Sequence, residues 1–142
     1  MLIVDSNVWF AAADTDAAHH QACAQLLQER HDDLATPAVV VGETARLIRY
    51  KLGATAEAAY LRLVTSGLIE IIDLTADDWV RVSDLVEIYL DRPLGAIDAA
   101  IVAVAERLGV TELASMNGRD FYLVRPHHTT AFTLLPAGLA RS

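Results

Sequence analysis

One cysteine and one lysine, Cys23 and Lys51, stand in a chain of 142 residues. A lone cysteine excludes an internal disulfide and any cysteine-rich zinc site, so Cys23 reads as a packing residue in HQACAQLL. The lone lysine counts against mechanisms that need a lysine after a late strand. No apolar run approaches the roughly eighteen residues that span a membrane, and MLIVDSN lacks the basic and apolar regions of a signal peptide. A cytoplasmic location is the expectation. Repeats, low-complexity tracts and Gly/Ser-rich linkers are also missing.

What remains is apolar and acidic. Hydrophobic residues make up 54% of the chain and mean hydropathy is +0.31, which predicts a filled core and apolar surface covered by a partner. One domain over residues 1–142 accommodates this length. A net charge of −8 opposes passive binding to nucleic acid. Metal ions can still bring the positive charge that phosphodiester chemistry requires.

Strand and helix signals alternate. LIVD reads as a first strand ending at Asp5, and residues from about Thr15 to Arg30 read as a helix. LATP is a second strand, with Pro37 in the first turn of a helix through VVVGETARLIRYKL that Gly53 closes. ATAEAAYLRLVTSG is helical to Gly67; LIEIIDL is a strand; Thr75 caps a helix through DDWVRVSDLVEIYL. A helix over 94–109, then strands VTELASM and AFTLL, complete the pattern. The alternation predicts a three-layer α/β/α sandwich on a mostly parallel sheet, with ligands at the C-terminal strand ends.

Four acidic positions fall where surface acids do not normally sit. Asp5 ends the first strand, either as a ligand at that edge or as the N-cap of the next helix. Asp98 shares a helical face with Leu94, Ile101, Val102 and Ala105, so an ionised carboxylate there needs a partner. Glu43 shares one with Val39, Val40, Leu47 and Tyr50 and is expected to point inward, or to pair with Arg46 at the rim. ASMNGRDF places Asn117 and Asp120 after a late strand, where Asn-Gly alone signals a turn. All-oxygen ligands without His or Cys suit Mg²⁺ or Mn²⁺, which polarise a phosphodiester and lower the pKa of water.

The chain resembles the PIN-domain ribonucleases, and among them the VapC toxins of bacterial toxin–antitoxin pairs. The resemblance rests on IVDSNVW, VVGETARL, GAIDAAIVAVAERLGV and LASMNGRDF, in family order across essentially the whole chain. It implies a Mg²⁺- or Mn²⁺-dependent endoribonuclease acting on RNA, with Asp5, Glu43 and Asp98 as the acidic core; Asp5, ending the first strand, and Asp98, facing it from a buried helix, are expected to contact the metal directly. The fourth position falls to Asp120, with Asn117 assisting, because Asn117 stands where many relatives carry Asp. Ser6 or Asn7 orients a water or phosphate, or else caps the next helix. The resemblance also implies a VapB-type antitoxin and a homodimer or toxin–antitoxin hetero-oligomer.

Basic side chains are sparse. Arg46 and Arg49, with Lys51, form the densest patch, and Arg119, Arg125, His127 and His128 a second; either holds RNA phosphates or is a solvated face. His19 and His20 are expected to face water, and Trp9 and Trp79 to serve core or interface. Two Mg²⁺-dependent alternatives, a haloacid-dehalogenase-type phosphatase and a phosphoacceptor receiver domain, both want a late lysine that this chain lacks. A PIN domain that binds without cutting is the third alternative, kept open by Asn117.

Overall fold

A computed structural model describes residues 1–140. Five strands form one wholly parallel sheet: β1 (Leu2–Val4), β2 (Leu34–Pro37), β3 (Ile69–Ile72), β4 (Glu112–Ala114) and β5 (Thr133–Leu135). Their order is β3-β2-β1-β4-β5. The chain leaves β1 for β2 on one side and reaches β4 on the other, so the strand order reverses between β1 and β4. In open α/β sheets such a reversal marks where a ligand crevice forms, at the C-terminal strand ends. The central strand is buried over its full length, and Val4 lies in register with Ala114, so the residues just after them become neighbours.

Helices α1 (Ser6–Ala13), α2 (His20–Glu29), α3 (Ala38–Leu52) and α4 (Ala54–Thr65) connect the first three strands and pack among themselves. Helices α5 (Ala76–Ile88) and α6 (Ala96–Leu108) connect β3 to β4 and pack on each other. Right-handed crossovers place these two groups on opposite faces, giving the expected three layers. Residues 99–105 of α6 are all buried, so this helix is enclosed and cannot rotate without breaking the core. Arg81 donates two hydrogen bonds to Glu106, and Arg107 two to the buried carboxylate of Asp78, which clips α5 to α6. Asp78 also closes a capping box with Thr75, as the sequence signals. No described helix is long and apolar enough to cross a membrane.

Three expectations need correction. The helix placed over Thr15–Arg30 is shorter, because residues 14–19 are irregular and α2 begins at His20, while a separate helix, α1, starts directly after Asp5. Pro37 ends β2 and caps α3, one residue short of the helix proper. His20 does not face water, because its Nδ1 bonds the Ala11 carbonyl at 2.8 Å and ties α2 to α1. Cys23 and Trp9 are core residues, Trp9 edge-on to Tyr60, whereas Trp79 is exposed.

Candidate active site

Asp5 follows β1 directly and is 4% exposed. Of the two roles that the sequence left open, the structure shows the N-cap. As N-cap of α1, its Oδ1 accepts from the Ser6 amide at 2.7 Å, and its Oδ2 accepts from the Ser115 hydroxyl at 2.8 Å. Burial raises its pKa, and these hydrogen bonds oppose the rise without cancelling it. An ionisable group is thus held beside the crevice.

Ser115 is the residue that sequence reasoning missed. It follows β4 as Asp5 follows β1, and the adjacent strands bring the two side chains together. Its Oγ is fully buried; besides donating to Asp5 it accepts from the Asn117 amide at 3.0 Å and from Asn7 Nδ2 at 3.3 Å. Asn7 in turn donates to Asp5 and accepts from the Met116 amide, so it ties the end of β1 to the end of β4. Neither Ser6 nor Asn7 caps α1, since Asp5 does. Ser115→Ala should cost about 1–3 kcal/mol, because the part-buried Asn117 amide loses its acceptor and the buried Asp5 carboxylate loses one of its donors. Denaturant unfolding checks this; an unchanged midpoint would mean that water replaces the hydroxyl.

Asp98 lies in the first turn of α6 and is half-buried. A helix N-terminus favours a carboxylate anion. Its pKa is nevertheless pushed up to about 7, first by burial, then by repulsion from Asp5 and Asp120, a hydrogen bond shared with Asp120, and repulsion from Glu43. Asn117 Nδ2 donates to Asp98 Oδ2 at 3.1 Å and to Asp120 Oδ2 at 3.0 Å. Asn117 therefore turns its amide nitrogen to the acids. Its carbonyl oxygen accepts from the Asp120 amide and caps the short helix α7 (Gly118–Phe121), so the assistance expected from it comes through the nitrogen.

Glu43 does not point inward. The buried face of α3 is Val40, Thr44 and Ile48, while Glu43 is exposed and Tyr50 is 85% exposed. Glu43 instead lines an open groove with Ser6, Arg46, Leu47 and Tyr50, near enough for its charge to act on Asp5 and Asp98. It stands at the rim of the cluster. Lys51 sits over the Phe10 ring, 5.3 Å from its centroid. His127 and His128 are engaged with Glu106 and the Val110 carbonyl, and Arg125 with the Tyr122 carbonyl. Arg119 is exposed beside Asp120.

These carboxylates fit a hard divalent cation in donor chemistry: every donor is oxygen, and Asp5, Asp120 and Glu43 are all near enough for their charges to act on Asp98. Among the described residues no three His, Cys, Asp or Glu side chains form a ready cage. Few direct protein ligands are what Mg²⁺ takes, since it keeps several waters.

A profile of the PIN domain matches residues 2–125. Among curated proteins, the chain is 28% identical to Ribonuclease VapC26 of Mycobacterium tuberculosis, over 95% of this chain and 100% of that one. It is 25% identical to the 23S rRNA-specific endonuclease VapC20 of the same species, over 89% and 99%. In three dimensions it matches the crystal structure of M. tuberculosis VapC20, a Sarcin-Ricin loop cleaving toxin, with TM-score 0.78 and 22% identity over 83% of this chain and 91% of that one. The DNA-bound VapBC from Salmonella typhimurium matches with TM-score 0.68 and 14% identity, over 94% and 95%. The fold, the crevice between β1 and β4 and the profile spanning most of the sequence lead to one assignment: the chain belongs to the PIN domain family.

Proposed function

We propose that this protein is a Mg²⁺- or Mn²⁺-dependent endoribonuclease and the toxin of a VapBC-type toxin–antitoxin pair in the cytoplasm. The single observation that carries the reading is the gathering of Asp5, Asp98, Asp120 and Glu43 where β1 and β4 end, with Asp98 pushed up to about 7 first by burial and then by these neighbouring acids. Both curated relatives are named as ribonuclease or endonuclease, which supports the same chemistry.

Asp5 and Asp98 hold the metal directly in this reading. A bound divalent ion supplies charge for the phosphodiester and lowers the pKa of water to near neutrality. Asp120 and the rim Glu43 orient waters or a second ion, and one of them accepts the proton of the attacking water. Asn117 fixes the spacing of Asp98 and Asp120 through its two donated bonds. Ser115 and Asn7 hold Asp5 in place. Arg46, in the groove with Ser6, steadies the RNA backbone. The only lysine lies on Phe10, which leaves phosphatase and receiver chemistry without their charge partner.

The partner is a VapB-type antitoxin. The groove lined by Ser6, Glu43, Arg46, Leu47 and Tyr50 leads from exposed apolar surface to the acids and suits an antitoxin segment carrying a basic side chain. Exposed Trp79, Val80, Ile88 and Leu90 leave area for a homodimer. In the test, structured RNA is incubated with the protein and Mg²⁺ or Mn²⁺. Cleavage is expected with metal, and loss of it with EDTA or a neighbouring-gene antitoxin. Binding without turnover in both metals makes the chain a non-cutting PIN domain.

A further inference from the structure

Three arginines have carboxylate partners: Arg30 with Asp33 and Glu112, Arg81 with Glu106, and Arg107 with Asp78. Acids outnumber bases in this chain by 19 to 11, so a partner is easy to find. Arg92 and Arg119, like Arg46, Arg49 and Arg62, have no side-chain hydrogen bond or ion pair among the described residues, and of these five only Arg92 and Arg119 line one cleft together. They come from different elements, the α5–α6 turn and α7, and line one cleft of about 240 Å³ with Pro93, Leu123 and Asp120. Arg92 is free only in its side chain, because its backbone amide donates to the Tyr89 carbonyl at 3.0 Å.

We propose that the Arg92–Arg119 cleft binds a backbone phosphate of the RNA, on the Asp120 side of the acidic centre and next to the bond that is cut. The inference rests on the nuclease reading and adds where the substrate lies. Two guanidinium groups offer planar forks that match a phosphate, in a chain whose net charge otherwise repels one. Pro93 and Leu123 complete the walls of the cleft. Asp120 lines the same cleft but accepts from Asn117, which turns part of its charge towards the acidic centre. At about 240 Å³ the cleft lies below the roughly 300–1,000 Å³ of sites for drug-sized ligands, and suits one ionic group better than a segment of folded protein. Phosphate contacts here position the strand and carry no base preference.

The test measures binding of a short labelled single-stranded RNA against salt, in an Asp98→Asn background so that nothing is cut. Arg92→Ala and Arg119→Ala should each weaken binding about three- to tenfold and lower the slope of log K against log salt by about 0.7. Arg92→Gln and Arg119→Gln should do the same, which guards against an alanine variant that folds poorly. Arg62→Ala on α4 should change nothing. In the Asp98 protein the two variants should raise KM more than they lower kcat. Double-variant binding and salt slope equal to the background overturn the cleft. So does loss of antitoxin affinity alone, which makes the cleft a protein contact. If the intact protein cuts no RNA while both arginines still set the salt slope, the nuclease reading fails and the phosphate cleft stands.

Discussion

Asp98→Asn should lower RNA cleavage by at least about 10²- to 10³-fold while leaving the melting temperature equal or higher. The carboxylate sits in the first turn of a helix whose next seven residues are buried, so its position is fixed by packing that the substitution does not touch. Asparagine keeps the shape, and its carbonyl oxygen can still accept from Asn117 Nδ2. What it loses is charge. Asp98 is held against Asp5, Asp120 and Glu43, so removing its charge relieves repulsion in the metal-free protein. In the proposed reading it also removes a metal ligand, and with it the charge that the phosphodiester needs. Loss of activity by unfolding predicts a falling melting point; loss by chemistry predicts the reverse. Cleavage assays and melting curves on the same preparation separate the two, and a variant that cuts at the normal rate leaves Asp98 a structural residue.

The layers were legible because parallel strands buried on both faces read as short apolar runs, and because the caps are local. Thr75 with Asp78 marks the start of α5 by side-chain chemistry alone. Helix α1 was not legible. It follows β1 with no loop, and SNVWFAAA has no polar face to set a period. Helix α7 is four residues long, too short for any periodicity, and only Asn117 as its cap announces it.

The site was half legible, for a similar reason. Asp5 and Asp98 stand out because a carboxylate interrupts an apolar pattern. The face of Glu43 was misread because Thr44, a polar residue, is buried through its own bond to the Val40 carbonyl, while apolar-looking Tyr50 lies in solvent. Polarity and burial part company there, and periodicity follows polarity. Ser115 gives no signal at all. A serine at a strand end is ordinary, and its three bonds exist only because β4 lies beside β1. Arg92 likewise gains meaning only from the fold that sets it opposite Arg119.

Metal-free protein should lose stability as pH rises from about 5 to 8, and Mg²⁺ should restore it most at the alkaline end. The folded Asp98 carboxyl is held at about 7, against 3.8 ordinarily. Between those values the native state keeps a proton that the unfolded chain has released. Stability then falls with rising pH across that window and levels off above it. Asp5 is raised as well and acts in the same direction. Asp33 and Glu106 are lowered by their arginine partners, so their contributions are lost as pH falls below the ordinary carboxylate range. A metal-free optimum near pH 5 follows. Each pH unit is worth at most about 1.4 kcal/mol, and solvent at the half-buried site cuts the total to roughly 1–2 kcal/mol, a melting shift of about 3–7 °C. A cation bound to Asp98 must displace its proton, so Mg²⁺ at about 100 times its Kd stabilises by about 2.7 kcal/mol where the group is already ionised, and by less at pH 5. General repulsion in an acidic chain also grows with pH, and Asp98→Asn is the control: it should flatten the profile and weaken the response to Mg²⁺. A wild-type profile that rises from pH 5 to 8, or a Mg²⁺ effect of equal size at both ends, removes Asp98 from the metal site.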